Sequence, residues 1–455
     1  MNENNLDDQD LINLRKAEAL NFSRPLDVHV WSEHPEANYF VHLIYRQLFE
    51  KETNIRKKHL KVVLLDLYVA WKEHAERFIA VHMSPKDYSG LIDRYNALHI
   101  KDTTIRVVKI LRKNNLIELH TGFQDRKNPS KGRVTRIKSS DSLVELFTKA
   151  KFECKDIARH ENYEVIQLKD SNKKLIDYED TLETKRMRRV VKDYNALLAE
   201  TDITCGHVSD GDIVRKNGHK VAIDRQHQQV HRVFNNGSFE DGGRFYGPWW
   251  QNLSQEHRQN IYINGQPTLE ADYAGLHIIM LYSFKGILYE GDPYHLDQDF
   301  GLGEDLQRKV CKKVILFAIN AESEEKALQA LRAEVTFPEG FKDHSNFLKS
   351  ILAAMKKKHQ AIAGSLCSGV GIKLQFIDSQ IIERVIEQFT KRKIPVLTVH
   401  DSCIIASKYA EELSKMMEDV LTEQLKFPLN FEEGLRKFLL AGEEPDLTLS
   451  KIKLL

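Results

Sequence analysis

Residues 267–282 read PTLEADYAGLHIIMLY, and their pattern predicts how the C-terminal half of the chain folds. A leucine and an alanine alternate with Glu270 and Asp272, and a period of two residues indicates a strand with one buried face. The Asp-Tyr-Ala-Gly that follows turns this strand into an apolar helix. The stretch therefore predicts a carboxylate, that of Asp272, at a strand end, where it is rigid and still reachable from solvent.

A second stretch, residues 394–407, reads IPVLTVHDSCIIAS. Two runs rich in β-branched residues, 396–399 and 403–406, flank the triplet His-Asp-Ser, which reads as a tight turn. The pattern predicts a hairpin that carries Asp401 at its tip. The two stretches thus place one aspartate each at the end of a strand.

These stretches, together with the segment before them, resemble the palm of family A DNA polymerases. In order, the chain offers an arginine segment with Arg244, a Gln-Asn pair at Gln251 and Asn252, and a motif A pattern that ends in Asp272. Residues 394–407 resemble motif C, which reads His-Asp-Glu in family A and His-Asp-Ser in the phage-type single-subunit RNA polymerases. The resemblance implies that the arginine, the Gln-Asn pair and the motif C histidine contact nucleic acid.

The resemblance extends to a helix and a strand near the C-terminus. Residues 374–386, LQFIDSQIIERVI, resemble the helix before motif C, in which Gln375 would touch the template side. Residues 428–435, PLNFEEGL, look like the strand that closes the palm. The resemblance covers about residues 242–436, which is under half of the chain.

The helix between the two aspartates, DLQRKVCKKVILFAINAE, resembles the fingers helix that grips the incoming triphosphate. Arg308 and Lys312 are four residues apart, so they share one face of a helix. The family has an aromatic residue eight positions after the lysine, but here that position is Asn320. Lys309 and Lys313 are the alternatives if the register differs by one residue.

The resemblance implies a catalytic pair, Asp272 and Asp401, that holds two Mg²⁺ ions, for which Mn²⁺ can substitute. One ion activates a 3′-hydroxyl and the other neutralises charge on the departing pyrophosphate, with the ions roughly 3.5–4 Å apart. Mg²⁺ suits such a site because it prefers hard oxygen ligands and keeps open positions for phosphate oxygens. Tyr273 and His277 would contact the nucleotide, and His400 the nucleic acid.

The sugar specificity rests on His277. Family A DNA polymerases have a glutamate there that crowds the 2′ position, whereas the related RNA polymerases have a small residue. Imidazole is bulky but can also hydrogen-bond a hydroxyl. This position favours deoxynucleotides, while Ser402 in motif C favours ribonucleotides, and the balance of the two predicts a DNA polymerase.

The N-terminal third carries a basic segment. Residues 101–138 contain eleven basic and three acidic residues, although the net charge of the whole chain is only +1. Helices are predicted over 59–73, 89–98 and 102–114, followed by a strand, a basic loop and a returning strand. This order resembles the winged helix of replication initiators. In that interpretation Arg106 and Lys109 enter the major groove, and Lys131 and Arg133 lie along phosphates; a basic face on a protein-binding module is the alternative.

Composition places the chain among ordinary globular proteins, with 42% hydrophobic and 29% charged residues among 455. That length predicts several domains. Five scattered cysteines indicate reduced thiols, and the acidic N-terminus is unlike a leader, so we expect a cytoplasmic protein. No run approaches the roughly 20 apolar residues that span a bilayer.

The sequence as a whole predicts an α+β protein in three parts. They are a winged-helix DNA-binding domain over residues 1–150, a helical thumb-like connector over 151–235, and a palm with an antiparallel sheet and small helical fingers over 236–455. The predicted activity is template-directed nucleotide addition in the replication of a bacterial, plasmid or phage replicon, with DNA and nucleoside triphosphates as partners. Three alternatives remain: an RNA polymerase or primase, a non-catalytic replication initiator, and a two-metal nuclease, which has no need of Arg308 and Lys312.

Overall fold

The computed structural model describes most of the chain as a mixed α/β architecture. The described residues are 20–124, 132–206, 208–209, 213–216, 219–223, 227–273, 275–287, 289, 291–334, 344–426 and 453–454. The helices are α1 (Pro35–Leu48), α2 (Asn54–Glu73), α3 (Thr103–Lys113), α4 (Asp141–Thr148), α5 (Leu182–Ala199), α6 (Gln255–Arg258), α7 (Leu276–Ser283), α8 (Glu304–Asn320), α9 (Glu324–Glu334), α10 (His344–Lys358), α11 (Gly371–Lys391) and α12 (Ala410–Lys426). The strands are β1 (Ser23–Pro25), β2 (Val30–Trp31), β3 (Phe78–Val81), β4 (Ile117–His120), β5 (Thr135–Ser139), β6 (Ala158–Arg159), β7 (Ile166–Leu168), β8 (Ile203–Cys205), β9 (Ile213–Lys216), β10 (His219–Ala222), β11 (His231–Asn235), β12 (Ser238–Tyr246), β13 (Ile261–Ile263), β14 (Gln266–Asp272), β15 (Val396–Val399), β16 (Ser402–Ala406) and β17 (Lys453–Leu454).

A first hydrophobic core has its buried members between Val30 and Phe152. The helix α2 forms its centre, and a sheet of order β1-β3-β5-β4 covers it. Strands β3, β5 and β4 are antiparallel, and α3 leads into the β4–β5 hairpin. The apolar face predicted for α3 is confirmed, because Ile105, Val108 and Leu111 are buried while the basic residues between them are exposed.

The helix predicted over residues 89–98 is wrong. Within this segment the structure has only a short 3₁₀ turn, Asp93–Tyr95, and another 3₁₀ turn, Pro85–Tyr88, ends just before it. Gly90 lies between them with a φ of +72°, a left-handed conformation that interrupts any helix. The backbone of this segment instead brings Arg94 onto the second part of the chain, where it donates to Asp177 at 2.7 Å.

A second hydrophobic core has its buried members between Tyr163 and Leu425. It is shared by most of the segment expected to be a helical connector and by the segment expected to be catalytic. The connector also contains the strands β6 to β11 besides α5, so it is not purely helical. Buried residues of α5 belong to this core, and the hydroxyl of Tyr194 donates a hydrogen bond to the carbonyl of Val396 in β15. The helix α5 therefore supports the sheet rather than standing apart from it as a thumb.

The largest sheet has the order β15-β16-β14-β13-β8, with β17 also paired to β14. Its pairs are antiparallel, as predicted for the palm. Strand β14 ends at Asp272, directly opposite Ser402 of β16. The expected closing strand, 428–435, lies outside the described residues.

The long helix α11 packs against β12 at a position where a side chain cannot fit. Gly243 has a φ of +79°, and a Cβ there would lie 2.7 Å from the ring of Phe234 and 2.9 Å from the hydroxyl of Ser379. The fully buried Arg232 fastens the same contact, because it pairs with Glu383 of α11 and donates to the Gly243 carbonyl at 2.7 Å. This close approach sets the distance between β12 and α11.

In the chain, three helices lie between strand β14 and strand β15 of the large sheet. These helices, α8, α9 and α10, pack on one another. Within the part of the chain that the structure describes, no helix is both long and apolar enough to cross a membrane.

Candidate active site

The two predicted aspartates lie at neighbouring strand ends of the large sheet. Asp272 is the last residue of β14, and Asp401 lies in the turn between β15 and β16. Because Ser402 pairs with Asp272 across the sheet, the two carboxylates come from adjacent positions. Burial raises the pKa of Asp272 to about 7, and the negative charges of Asp401 and Glu270 add to this rise, while the Lys312 ammonium opposes it. The site therefore concentrates negative charge that a cation would relieve.

His400 forms the tip of this hairpin with a φ of +58°, a conformation that few non-glycine residues adopt. Its ring packs edge-to-face on Tyr246, with centroids 5.9 Å apart. The tight turn that the His-Asp-Ser triplet predicts is therefore present, and the strained residue holds Asp401 next to β14.

Glu270 is a third carboxylate at this site, and its role was not predicted. It lies two residues before Asp272 on the same face of β14, but its charge is already paired. The guanidinium of Arg258 donates to both of its oxygens, at 2.7 and 3.0 Å, and the hydroxyl of Ser402 donates at 2.8 Å. The serine of the His-Asp-Ser triplet thus helps to fix the Glu270 carboxylate of the neighbouring strand.

Asp272 and Asp401 are the residues that could hold Mg²⁺. Within the described residues, no group of three or more His, Cys, Asp or Glu side chains is placed to share a metal ion. Mg²⁺ does not need one, because it is commonly held by one or two carboxylates together with waters and substrate phosphates. Asp272 and Asp401 would supply the carboxylates, and phosphate oxygens the remaining ligands.

Arg244 and His277, predicted to contact nucleic acid and nucleotide, converge on a buried carboxylate. Asp378 of α11 is fully buried and accepts from Arg244 Nε at 3.0 Å and from His277 Nε2 at 2.9 Å. Arg244 is only 16% exposed in its side chain. Both residues border the site, but their polar groups are engaged within the protein, which the local sequence did not show because Asp378 lies more than 100 residues away.

Three other predicted contacts turn out to belong to the core or its edge. Tyr273 is only 3% exposed, and its hydroxyl donates to the carbonyl of Met417 at 2.7 Å, so this polar group is engaged within the protein. The buried amide of Gln251 donates to the carbonyls of Phe245 and Thr398, at 3.2 and 3.0 Å. It therefore braces β15, and Asn252 follows at the end of the same 3₁₀ turn.

The helix α8 presents Arg308 and Lys312 toward one aromatic ring, that of Tyr294. The guanidinium carbon and the ammonium lie 5.5 and 5.8 Å from the ring centroid. Arg308 is also paired with Asp292. Lys313, the alternative in the shifted register, turns away and donates to the carbonyl of Glu334 at 2.6 Å. The geometry thus agrees with the register that uses Lys312.

Asn320 and Gln375 lie together at the far end of α8. The amide of Gln375 donates to the Asn320 side-chain oxygen at 3.2 Å, and the Asn320 amide donates to the Leu316 carbonyl at 2.8 Å. Gly371, at the start of α11, leaves the space that this asparagine fills, since a Cβ there would lie 2.4 Å from its oxygen. The position expected to be aromatic thus contacts the helix that precedes motif C.

The basic residues predicted to bind DNA lie in the N-terminal part. Arg106 and Lys109 are exposed on α3. Arg133 is half-buried, with its guanidinium 5.5 Å from the ring of Phe123 on the facing arm of the loop. Lys131 lies outside the described residues.

Comparisons with known proteins add little to this geometry. No protein-family model matches the chain, and no curated protein matches it significantly. Among solved structures, the POL domain of Pol1 from M. smegmatis, in complex with DNA primer-template and dNTP, aligns with 90% of this chain and 77% of that chain. The identity is 12% and the TM-score is 0.23.

Proposed function

We propose that the chain is a template-directed nucleotidyltransferase that adds deoxynucleotides to a nucleic-acid end. The proposal depends on the pair Asp272, at the end of β14, and Asp401, in the turn before the adjacent strand β16, with Lys312 of α8 close enough to act on the pKa of Asp272. A carboxylate pair facing a cationic helix suits a substrate that brings both metal ions and phosphate charge. A two-metal nuclease has no use for the cations of α8.

The residues divide the work of the reaction. Two Mg²⁺ ions bound by the aspartates would lower the pKa of the attacking hydroxyl and stabilise the leaving pyrophosphate. The hairpin and β14 keep the carboxylates rigid, so little reorganisation is needed during the reaction. Arg308 and Lys312 would bind the triphosphate and oppose the charge that develops on it.

The sugar preference stays a prediction of deoxynucleotides. The ring of His277 is held by Asp378, which supports its use as a fixed wall beside the sugar. The motif C serine, which had favoured ribonucleotides, is engaged by Glu270 and so loses weight as a cue. If His277 is the wall, His277→Gly should raise incorporation of ribonucleotides relative to deoxynucleotides.

The N-terminal part would bring the enzyme to DNA. The order of α3, β4, a basic loop and β5 supports a winged helix, and the exposed Arg106 and Lys109 support insertion of α3 into a groove. Such a module joined to a polymerase fits the start of replication on a bacterial, plasmid or phage replicon.

The test is primer extension with labelled dNTPs and, separately, rNTPs, in Mg²⁺ and in Mn²⁺. We expect extension with dNTPs that Asp401→Asn removes. Extension with rNTPs alone would favour the primase or RNA polymerase. Absence of any extension, by a folded protein that binds DNA, would favour the non-catalytic initiator, and metal-dependent degradation of the primer would favour the nuclease.

A further inference from the structure

Tyr294 lies between the cations of α8 and the carboxylates of the large sheet. Its ring is within 6 Å of both Arg308 and Lys312. On the other side, a Cβ on Gly275, three residues after Asp272, would lie 3.6 Å from the tyrosine hydroxyl oxygen. The phenol therefore occupies the space between the triphosphate-binding helix and the end of β14.

The chain holds Tyr294 in this place from two sides. The backbone N–H of Tyr294 donates to Asp292 at 3.0 Å, the same carboxylate that pairs with Arg308. The carbonyl of the preceding residue, Pro293, accepts from His359 Nε2 at 2.9 Å. The other nitrogen of His359, Nδ1, accepts from the hydroxyl of Tyr282 at 3.0 Å.

This arrangement fixes the tautomer of His359. A carbonyl oxygen can only accept, so Nε2 carries the proton and Nδ1 accepts from the tyrosine. Burial lowers the pKa of His359, which keeps the ring neutral as this arrangement requires. The segment that carries Tyr294 is thus positioned by a buried residue of another element.

The hydroxyl of Tyr294 can bind a ligand, as far as the described part of the chain shows. Its backbone makes a hydrogen bond to Asp292, but the hydroxyl makes none with any residue that the structure describes. The side chain is only partly exposed. A hydroxyl on a ring that lies beside two cations is suited to donate to an anion that those cations also bind.

We propose that Tyr294 binds the triphosphate of the incoming nucleotide, with its hydroxyl donating a hydrogen bond to a phosphate oxygen and its ring supporting Arg308 and Lys312. The inference rests on the proposed function, since it assigns a further residue to that site. Burial and the neighbouring Asp272 raise the pKa of Tyr294 to about 12, so the hydroxyl keeps its proton and acts as a donor at physiological pH.

The chemistry favours the phosphates over the sugar or the base. The groups that act on the tyrosine hydroxyl are charged: Asp272, Arg308, Asp292 and Asp401. Phosphate oxygens would match such surroundings better than an apolar base face does, because Arg308 and Lys312 lie beside the ring and the Mg²⁺ that Asp272 and Asp401 would hold would offset the carboxylate charge. A hydrogen bond to a charged partner also contributes more than one to a neutral hydroxyl.

The experiment measures equilibrium binding of a fluorescent deoxynucleoside triphosphate and of the matching monophosphate to the full chain with primer–template DNA and Mg²⁺. The DNA has a 3′-deoxy end, which prevents chemistry. Tyr294→Phe removes only the hydroxyl. Tyr262→Phe is the matched control, because Tyr262 is 39% exposed on β13. Melting temperatures establish that each variant is folded.

We expect Tyr294→Phe to weaken triphosphate binding about tenfold or more, with monophosphate binding unchanged. Tyr262→Phe should bind both as the wild type does. Equal triphosphate affinity in wild type and Tyr294→Phe overturns the inference, as does an equal loss for both ligands, which would indicate a sugar or base contact. If the wild type binds the triphosphate but extends no primer, the proposed polymerase activity is wrong while the role of Tyr294 in binding can still hold. If the wild type binds no triphosphate, both the proposed function and the role of Tyr294 are wrong.

Discussion

At the scale of single residues, the raised pKa of Asp272 leads to a prediction about the melting temperature of the protein as well as about its activity. Its raised pKa of about 7 means that the folded chain holds this proton more tightly than the unfolded chain does. Its contribution to stability is therefore lost as pH rises from about 4 to about 7. In metal-free buffer at pH 8, Asp272→Asn should raise the melting temperature by about 1–3 °C.

The same variant should lose its response to metal. Mg²⁺ should raise the melting temperature of the wild type but not of Asp272→Asn, and extension should fall about a thousandfold, since the ions stabilise several kcal/mol of charge. Thermal melts in EDTA and in Mg²⁺ provide the measurement, with the exposed Asp193→Asn as control. An unchanged Mg²⁺ response in Asp272→Asn would remove this residue from the metal site.

Two adjacent lysines give a second prediction at this scale. Lys312 lies near Tyr294, whereas Lys313 is bonded to the carbonyl of Glu334. Lys312→Ala should raise the KM for nucleotide about tenfold or more and slow the chemical step, since a charged hydrogen bond to the triphosphate is lost. Lys313→Ala removes the same charge and should leave both constants near those of the wild type. Steady-state kinetics decide, and the reverse result would mean that the helix presents its other face.

At the scale of elements, α3 carries the prediction on DNA. Arg106→Ala combined with Lys109→Ala should weaken binding to duplex DNA, because fewer phosphates are neutralised and fewer counterions are released from the DNA. The slope of log affinity against log salt should become shallower by up to about two. Fluorescence anisotropy over a range of salt concentrations measures it. Lys149→Ala with Lys155→Ala removes two exposed, ion-paired lysines and is the control. Binding that ignores salt would instead support the protein-binding interpretation of this module.

The elements that local sequence predicted well are those with a strong period. The strand Val396–Val399 has the predicted bounds and β14 ends at Asp272 as predicted, because alternation and a tight turn are local properties. The helix through Arg308 was predicted for the same reason. The prediction of a helix over residues 89–98 was wrong. The spacing of the apolar residues there is typical of a helix, but Gly90, with its positive φ, interrupts it.

The candidate site was less predictable than the elements that form it. The partner of Arg244 and His277 is Asp378, and the support of Tyr294 is His359, and both lie far away in the chain. No period or spacing indicates such pairs, because they depend on how helices pack. The sequence predicts the strand ends that carry the two aspartates, but it does not predict Asp378 or His359, which bind the residues around them.

At the scale of the whole molecule, two half-buried histidines lead us to expect sensitivity to acid. His29 lies in the N-terminal part and His231 in the second part, and both rings contact Tyr163, at 4.7 and 6.5 Å between centroids. Burial, together with the charge of Arg159, lowers their pKa values to about 4 and about 3. Both histidines are therefore neutral in the folded chain at pH 7.

A histidine with a lowered pKa stabilises the fold fully above its unfolded pKa of about 6.5, and that contribution is lost as pH falls toward the folded value. Urea unfolding at pH 7.5 and pH 5 should show a large loss of stability for the wild type. His231→Gln should reduce this loss, whereas His295→Gln, at an exposed position, should not. An equal loss in wild type and His231→Gln would mean that other groups cause the acid sensitivity.

The buried Arg232, which joins β11 to Glu383 and Ser379 of α11 and to the Gly243 carbonyl, has a consequence for hydrogen–deuterium exchange. Opening this part of the chain would leave a guanidinium without its partners in the protein interior, so local opening costs nearly as much as global unfolding. The amides of α11 and β12 should therefore exchange only when the second core unfolds as a unit. On α8, where Leu316 is 52% exposed, we expect amides to exchange earlier and to become protected when nucleotide binds.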